Sequence, residues 1–338
     1  MKAWCGISCA ALLIGCEQPL RPIFREIMPP IVWPAPPDAP RVRYVGALAG
    51  EEDLGRPEPF GVLQALLAGP TPKVGFSTPT SIAVAGDRVF VADGQGQAVY
   101  VMDLQTREFQ TIGRGPSRAL QWPADLALIA DRIAVADSMG KVVQVFAPDG
   151  RLVETIGAGS LERPCAVALD DVSGELWVVD SAQHACVVFD RQGREVRRVG
   201  RRGEGPGEFN FPAGITFDHR LGVIVADSMN FRVQRLSPGG EAVAAFGQKG
   251  NGAGDFALPR DVAVDRASHI YVLDSQFENI QVFDASGQLL MAWGEEGRAP
   301  GQFYLPSGLF IDGRDRIWVA DSYNRRLQVF QYLPEAES

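Results

Sequence analysis

Leu305-Pro-Ser-Gly-Leu-Phe-Ile-Asp-Gly-Arg-Asp-Arg-Ile-Trp-Val-Ala-Asp-Ser-Tyr-Asn-Arg-Arg-Leu-Gln-Val-Phe330 is the stretch that decides the fold. It reads as three short strands. A Pro-led apolar run from Leu309 to Ile311 turns at Asp312-Gly313, and a second run, Ile317 to Ala320, stops at Asp321-Ser322. A third, Leu327 to Phe330, alternates apolar and polar residues. Asp-Gly between apolar runs signals a hairpin, and a period of two selects strand over helix. The same pattern occurs six times. The Asp closing the second strand recurs as Asp93, Asp137, Asp180, Asp227, Asp274 and Asp321, at spacings of 44, 43, 47, 47 and 47 residues. The opening prolines keep step: Pro79, Pro123, Pro164, Pro212, Pro259 and Pro306. A fourth run ends each of the first five copies in an apolar residue and Gly, as in Thr111-Ile-Gly113 and Ala292-Trp-Gly294. Four short strands per ~40–50 residues is the period of a propeller blade. A single blade cannot bury both of its faces, so blades pack around an axis. The expected fold is all-β, a six-bladed propeller of four-stranded blades.

The sixth copy lacks its fourth strand, because only eight residues follow Phe330. At the other end, Arg41-Val-Arg-Tyr-Val-Gly46 matches Glu195-Val-Arg-Arg-Val-Gly200 in pattern. Residues 41–48 are therefore expected to close the ring as the outer strand of blade 6. The propeller spans 41–332, with a tail at 333–338.

The Gly-rich link, Pro-led strand, Val-Ala-Asp-Ser stop and Asn-x-Arg-Val-Gln-x-Phe strand resemble NHL-repeat propellers, most closely from Gly203 to Leu236 and from Gly250 to Phe283. Blade 1 departs most, with Gly94-Gln-Gly-Gln-Ala98 in place of the Ser-x-Asn-x-Arg turn. The resemblance implies the fold and leaves function open, since propellers host unrelated activities.

Residues 1–15 read as a signal peptide. Ala10-Ala-Leu-Leu-Ile14 supplies the apolar length, and Leu13-Ile-Gly-Cys16 resembles the bacterial lipobox, in which Cys16 would be lipidated. An ordinary secretory signal cut nearby is the alternative. The reading makes the chain an exported protein lipid-anchored to a bacterial membrane, the outer one in a Gram-negative host. Residues 17–40 hold eight prolines and are expected to form an extended tether, up to several nanometres long at ~3.1 Å per residue. Residues 51–78 read as an insertion whose apolar stretch Phe60–Ala68 is helix-like and caps the ring.

A net charge of −9 argues against nucleic acid, which requires a broad basic surface. Three histidines exist: His184, His219 and His269. The first lies between second and third strands and the others between first and second, on opposite faces of a propeller, so they cannot converge on zinc. The six repeated Asp residues read as acceptors of backbone N–H groups at strand exits rather than as calcium ligands. At the start of the innermost strands, Ser81, Asp125 and Asp261 look into the channel. Asp125 and Asp261, in opposite blades, could hold a hydrated cation such as Ca²⁺ or a cationic ligand, or simply be solvated. The Gly-rich runs recur as connectors with no helix after them, and so are not nucleotide loops. Arg194, Arg197, Arg198, Arg201 and Arg202 form one basic stretch on an outer strand. Charge there blocks edge pairing and offers, secondarily, an anionic docking site. Cys165 and Cys186 are separated by an intervening strand, beyond disulfide reach.

The leading function is a monomeric binding or scaffolding propeller at the cell envelope, with a protein partner on the loops between second and third strands. Met139, His184, Met229, Phe231, Phe277, Tyr323 and Arg325 are the candidate contact residues, and no catalytic residue or cofactor is assigned. The alternatives are a metal-dependent hydrolase or lyase at the channel, and a periplasmic sensor or assembly factor for an envelope complex, possibly a redox one.

Overall fold

The computed structural model describes residues 22–56, 73–114 and 120–334. Six antiparallel sheets follow one another along the chain: blade 1 (79–112), blade 2 (123–156), blade 3 (164–199), blade 4 (214–246), blade 5 (259–293) and blade 6 (308–332). Each runs from the innermost strand outward by hairpins. The sixth acquires its outer strand from β2 (Val42–Leu48), which pairs antiparallel with Arg326–Tyr332. The ring is thus closed by joining the two ends of the chain in one sheet, as the sequence pattern requires.

Between neighbouring blades lie wedges of buried apolar side chains, each filled from both sides. Trp177, Cys186 and Val188 of blade 3 meet Phe209 of the connector and Ile215 and Val223 of blade 4. Tyr271, Leu273 and Trp293 of blade 5 meet Phe303 of the connector and Ile317 and Phe330 of blade 6. Second strands are buried on both faces, which explains their unbroken apolar runs. Outer strands of blades 2 to 5 share a bulge at their second residue. It leaves Val153, Val196, Val243 and Leu290 exposed on the rim, and a bulged edge is a poor template for further pairing.

The Pro-rich stretch differs from the free tether expected of it. β1 (Val32–Trp33) adds to β2 as a fifth strand of blade 6. Ile23 and Phe24 pack into the wedge between blades 6 and 1, and Ile27, Ile31 and Trp33 into that between blades 5 and 6. Proline removes backbone donors and favours extended chain, but it does not stop interspersed Ile, Phe and Trp side chains from being buried. Of the insertion, Leu54, Val74 and Phe76 join the same blade 6–blade 1 wedge. Cys16 and the stretch Phe60–Ala68 lie outside the described residues.

Candidate functional site

The repeated motif residues are consumed in holding the ring together. All six strand-closing Asp side chains are fully buried. Asp137 accepts the backbone N–H groups of Gln121, Trp122 and Gly140 at 2.8–3.0 Å. Asp321 accepts from the N–H of Tyr304, Nδ2 of Asn324, Nε of Arg326 and Nε2 of Gln328, all within 3.0 Å. Asp227 is held by the matching quartet of Asn210, Asn230, Arg232 and Gln234. In blades 4 and 6 the same Arg and Gln also grip the Gly-rich connector. Arg232 donates to the carbonyls of Glu204, Gly205 and Glu208, and Arg326 to those of Arg298, Ala299 and Gln302. The connectors are structural for this reason. The Ser after Asp has a role too: Ser138, Ser228, Ser275 and Ser322 donate to the carbonyls of Pro164, Pro259, Pro306 and Pro79, each the opening proline of the next blade. Blade 1 has Gly94 there, and Thr80 replaces the missing hydroxyl on Pro123. In blade 3 Ser181 turns to Arg163, and the Cys165 thiol lies 3.4 Å from the Pro212 carbonyl.

His184 belongs to this scaffold and not to the exposed face expected for it. Each loop between second and third strands puts one residue in the left-handed region: Gln97, Lys141, His184, Phe231, Glu278 and Arg325, with φ of 50–58°. In blades 3 and 5 the side chain so placed reaches the segment that leads into the next blade. Nδ1 of His184 accepts the Phe211 N–H at 3.0 Å, and the Glu278 carboxylate accepts that of Leu305 at 3.1 Å. Burial, then the charges of Arg202 and Arg163, hold the His184 imidazole below its usual range, which keeps Nδ1 an acceptor.

On the axis, Asp125 and Asp261 do share one cavity. Asp125 accepts from the Ser81 hydroxyl, its neighbour Leu126 N–H at 2.8 Å and the Val167 N–H of blade 3 at 2.7 Å. Asp261 repeats the arrangement, accepting from Val262 at 2.9 Å and from Leu309 of blade 6 at 2.7 Å. Each carboxylate bridges the innermost strands of adjacent blades. Burial pushes Asp125 up to about 6, against the hydrogen bonds that favour its charged form. Asp261 is held well above the usual carboxylate range by burial and then by the charge of Asp125. Below them, toward the hairpins between first and second strands, the channel opens into a cavity of about 260 Å³ walled by Leu126, Val167, Ile215, Phe217, Val262 and Leu309. Above them it narrows to about 10 Å³ beside Arg260 and Cys165. The arrangement places two buried carboxyl groups, each more readily protonated than an ordinary carboxylate, at the neck of this cavity. Among the described residues no three His, Cys, Asp or Glu side chains converge as metal ligands.

The face bearing the loops between second and third strands is different. Met139 (63% exposed), Tyr323 (61%) and Met229 (45%) stand out from it, and Arg325 is exposed beside Tyr323. Phe231 and Phe277 are half-buried, the former with the Lys249 ammonium 5.1 Å from its ring. Two aromatics on this face were missed by the sequence reading. Phe211 (39%) packs edge-on against His184, and Tyr304 (37%) meets Tyr323 at 5.4 Å between ring centroids. Both sit one or two residues before an opening proline, so their position in the repeat was the available signal.

The basic stretch is largely neutralised in place. Arg194 pairs with Asp190, Arg197 with Glu175 through two hydrogen bonds, Arg198 with Glu195 and Arg201 with Glu208. His219 and His269 pair with Asp171 and Asp265 on the opposite face. Cys165 and Cys186 are both free thiols, and burial pushes Cys165 up to about 11 and Cys186 higher still.

A family model described as a 6-bladed beta-propeller matches residues 167–235, and an NHL-repeat model matches residues 303–330. No curated protein matches the sequence. Among solved structures, an auxiliary nutrient binding protein from Bacteroides thetaiotaomicron is similar at 13% identity and a TM-score of 0.61, over 76% of this chain and 70% of that one. Virginiamycin B lyase from Staphylococcus aureus is similar at 12% identity and TM-score 0.57, over 76% and 96%. A gluconolactonase from Xanthomonas campestris is similar at 16% identity and TM-score 0.59, over 76% and 87%. At these identities the likeness shows the fold alone, and the fold is shared by binding proteins and enzymes.

Proposed function

We propose that this six-bladed, NHL-type propeller is a binding or scaffolding module that docks a protein partner on the face of its second-to-third-strand loops, held at the cell envelope by a lipid on Cys16. The observation that carries the reading is the division of labour on that face. Its polar motif residues are buried in clamps between blades, while Met139, Met229, Tyr323, Phe211 and Tyr304 remain exposed. Such a surface of methionine and aromatic side chains matches what interface cores are made of. The description of a similar solved structure as a nutrient binding protein supports binding as an activity of this fold. The test is copurification from envelope membranes with tagged wild type and with a Met229→Ser/Tyr323→Ser variant. Loss of the partner with an unchanged thermal transition supports the reading. Equal recovery with both proteins removes this face from the interaction.

A second reading is favoured by the axial carboxyl pair: a metal-dependent hydrolase or lyase working at the channel. Both carboxylates already accept backbone N–H groups, which weighs against it. Metal content by mass spectrometry on purified protein decides, with Asp125→Asn as the control that must lose any stoichiometric ion.

A further inference from the structure

The amino-terminal strap has a consequence for where the ring stands. Its two ends are seated in different wedges, Phe24 beside blade 1 and Trp33 beside blade 5. Two glycines make the seats. A Cβ on Gly46 would lie 2.6 Å from the Phe24 ring, and one on Gly301 would lie 2.2 Å from the Trp33 ring. The backbone is fixed as well, with Tyr44 N–H donating to the Ile31 carbonyl at 2.9 Å and Arg41 N–H to that of Trp33 at 2.7 Å. The strap therefore crosses the rim of blade 6 as part of the fold. From Cys16 to Pro22 only six residue steps remain, a reach of at most ~20 Å even when fully extended. A lipid on Cys16 would hold the strapped rim close to its bilayer, and not several nanometres away.

The surface there suits a lipid headgroup layer. Arg25 and Arg43 are exposed on the strap and on β2 beneath it, and Met28 is 74% exposed between the two seats. Residues 22–48 carry Arg25, Arg41 and Arg43 against Glu26 and Asp38, a net charge of +1 in a chain of −9. Anionic headgroups attract such a patch and repel the more acidic remainder.

We propose that the rim of blade 6, clad by residues 22–33, is the membrane-facing side of the propeller, so that the ring stands edge-on to the bilayer. This rests on the lipid-anchor reading of Cys16. Both flat faces then point along the membrane, and the Met139–Met229–Tyr323 face meets partners laterally. The test uses full-length lipidated chain in vesicles of phosphatidylethanolamine and phosphatidylglycerol that carry a headgroup-attached nickel chelate. A nitroxide is placed at Met28→Cys or at Val196→Cys, the latter on the rim of the opposite blade 3. Both native side chains are exposed, so neither change disturbs the core. Paramagnetic relaxation at position 28 should exceed that at 196 several-fold. Equal enhancement at both, or more at 196, overturns the edge-on placement and leaves the anchor standing. Protein that fails to float with the vesicles overturns the anchor reading, and this inference with it.

Discussion

The two flat faces of the ring use polarity in opposite ways. On the face of the first-to-second-strand hairpins, charged side chains stay at the surface and pair across blade boundaries. Arg314 reaches Asp87 at 3.0 Å and Arg266 reaches Asp315 at 2.6 Å. On the other face the charges go inward, as in the fully buried Asp321 with Arg326 and Asp227 with Arg232. Met139, Met229, Tyr323, Phe211 and Tyr304 remain outside, beside the exposed Lys141 and Arg325. A surface whose acidic motif residues are buried and which carries large apolar side chains gains on being covered. The face of surface ion pairs would have to give them up. The docking proposal rests on this contrast rather than on any single residue.

The sharpest way to break it is Asp321→Ala. The change removes one acceptor from four donors and leaves the partly buried Arg326 guanidinium with carbonyl acceptors but no counter-charge. A cost of ~3–5 kcal/mol is expected, read by denaturant unfolding. A loss below ~1 kcal/mol would mean the clamps are not what holds this face. Next comes the axis between the faces. The folded-state pKa of Asp125 is raised to about 6, so its contribution is fully present below the ordinary carboxylate range and is lost as pH rises through 6. Wild type should lose on the order of 1–3 kcal/mol between pH 4 and 7 relative to Asp125→Asn/Asp261→Asn, whose pH profile over that interval should be flatter. A profile no flatter in the double variant would show that the pair does not share a buried charge.

Smaller in free energy is the face itself. Met229→Ser/Tyr323→Ser should weaken partner binding tenfold or more, ~1.4 kcal/mol, with Tm unchanged, since both side chains lie outside the clamps. Smallest of all, Arg314→Ala on the hairpin face should cost ~0.2–1 kcal/mol and leave binding intact, because its pair with Asp87 is solvent-exposed. If Arg314→Ala matched Asp321→Ala in cost, the distinction between the faces would fail.

Much of this was written in the repeat. The spacing of Asp93 through Asp321 fixes six blades, and Arg41–Gly46 supplies the missing outer strand because its apolar alternation fits the site left open after Phe330. The buried role of the Asp residues was also legible, since six copies of one residue at one strand exit call for one structural cause. Other features depend on geometry between blades. His184 stands in a polar loop like its neighbours, and only the left-handed backbone there turns its ring onto Phe211. The strap was hidden by composition. Eight prolines speak for an extended chain, whereas its fate was set by Phe24 and Trp33, whose seats at Gly46 and Gly301 lie far away in sequence or space until the ring closes. The pairing of Arg197 and Arg201 with carboxylates was hidden too, since Glu175 and Glu208 come from another strand and from a connector.

The most direct measurement is site-specific photo-crosslinking in intact envelopes, with the photoreactive residue at Tyr323 on one face or at Arg220 on the other. The account predicts a discrete crosslinked partner from position 323, the same species from position 229, and none from position 220. Crosslinks to the same partner from 220, with 323 and 229 silent, would contradict it and move the site to the open end of the channel.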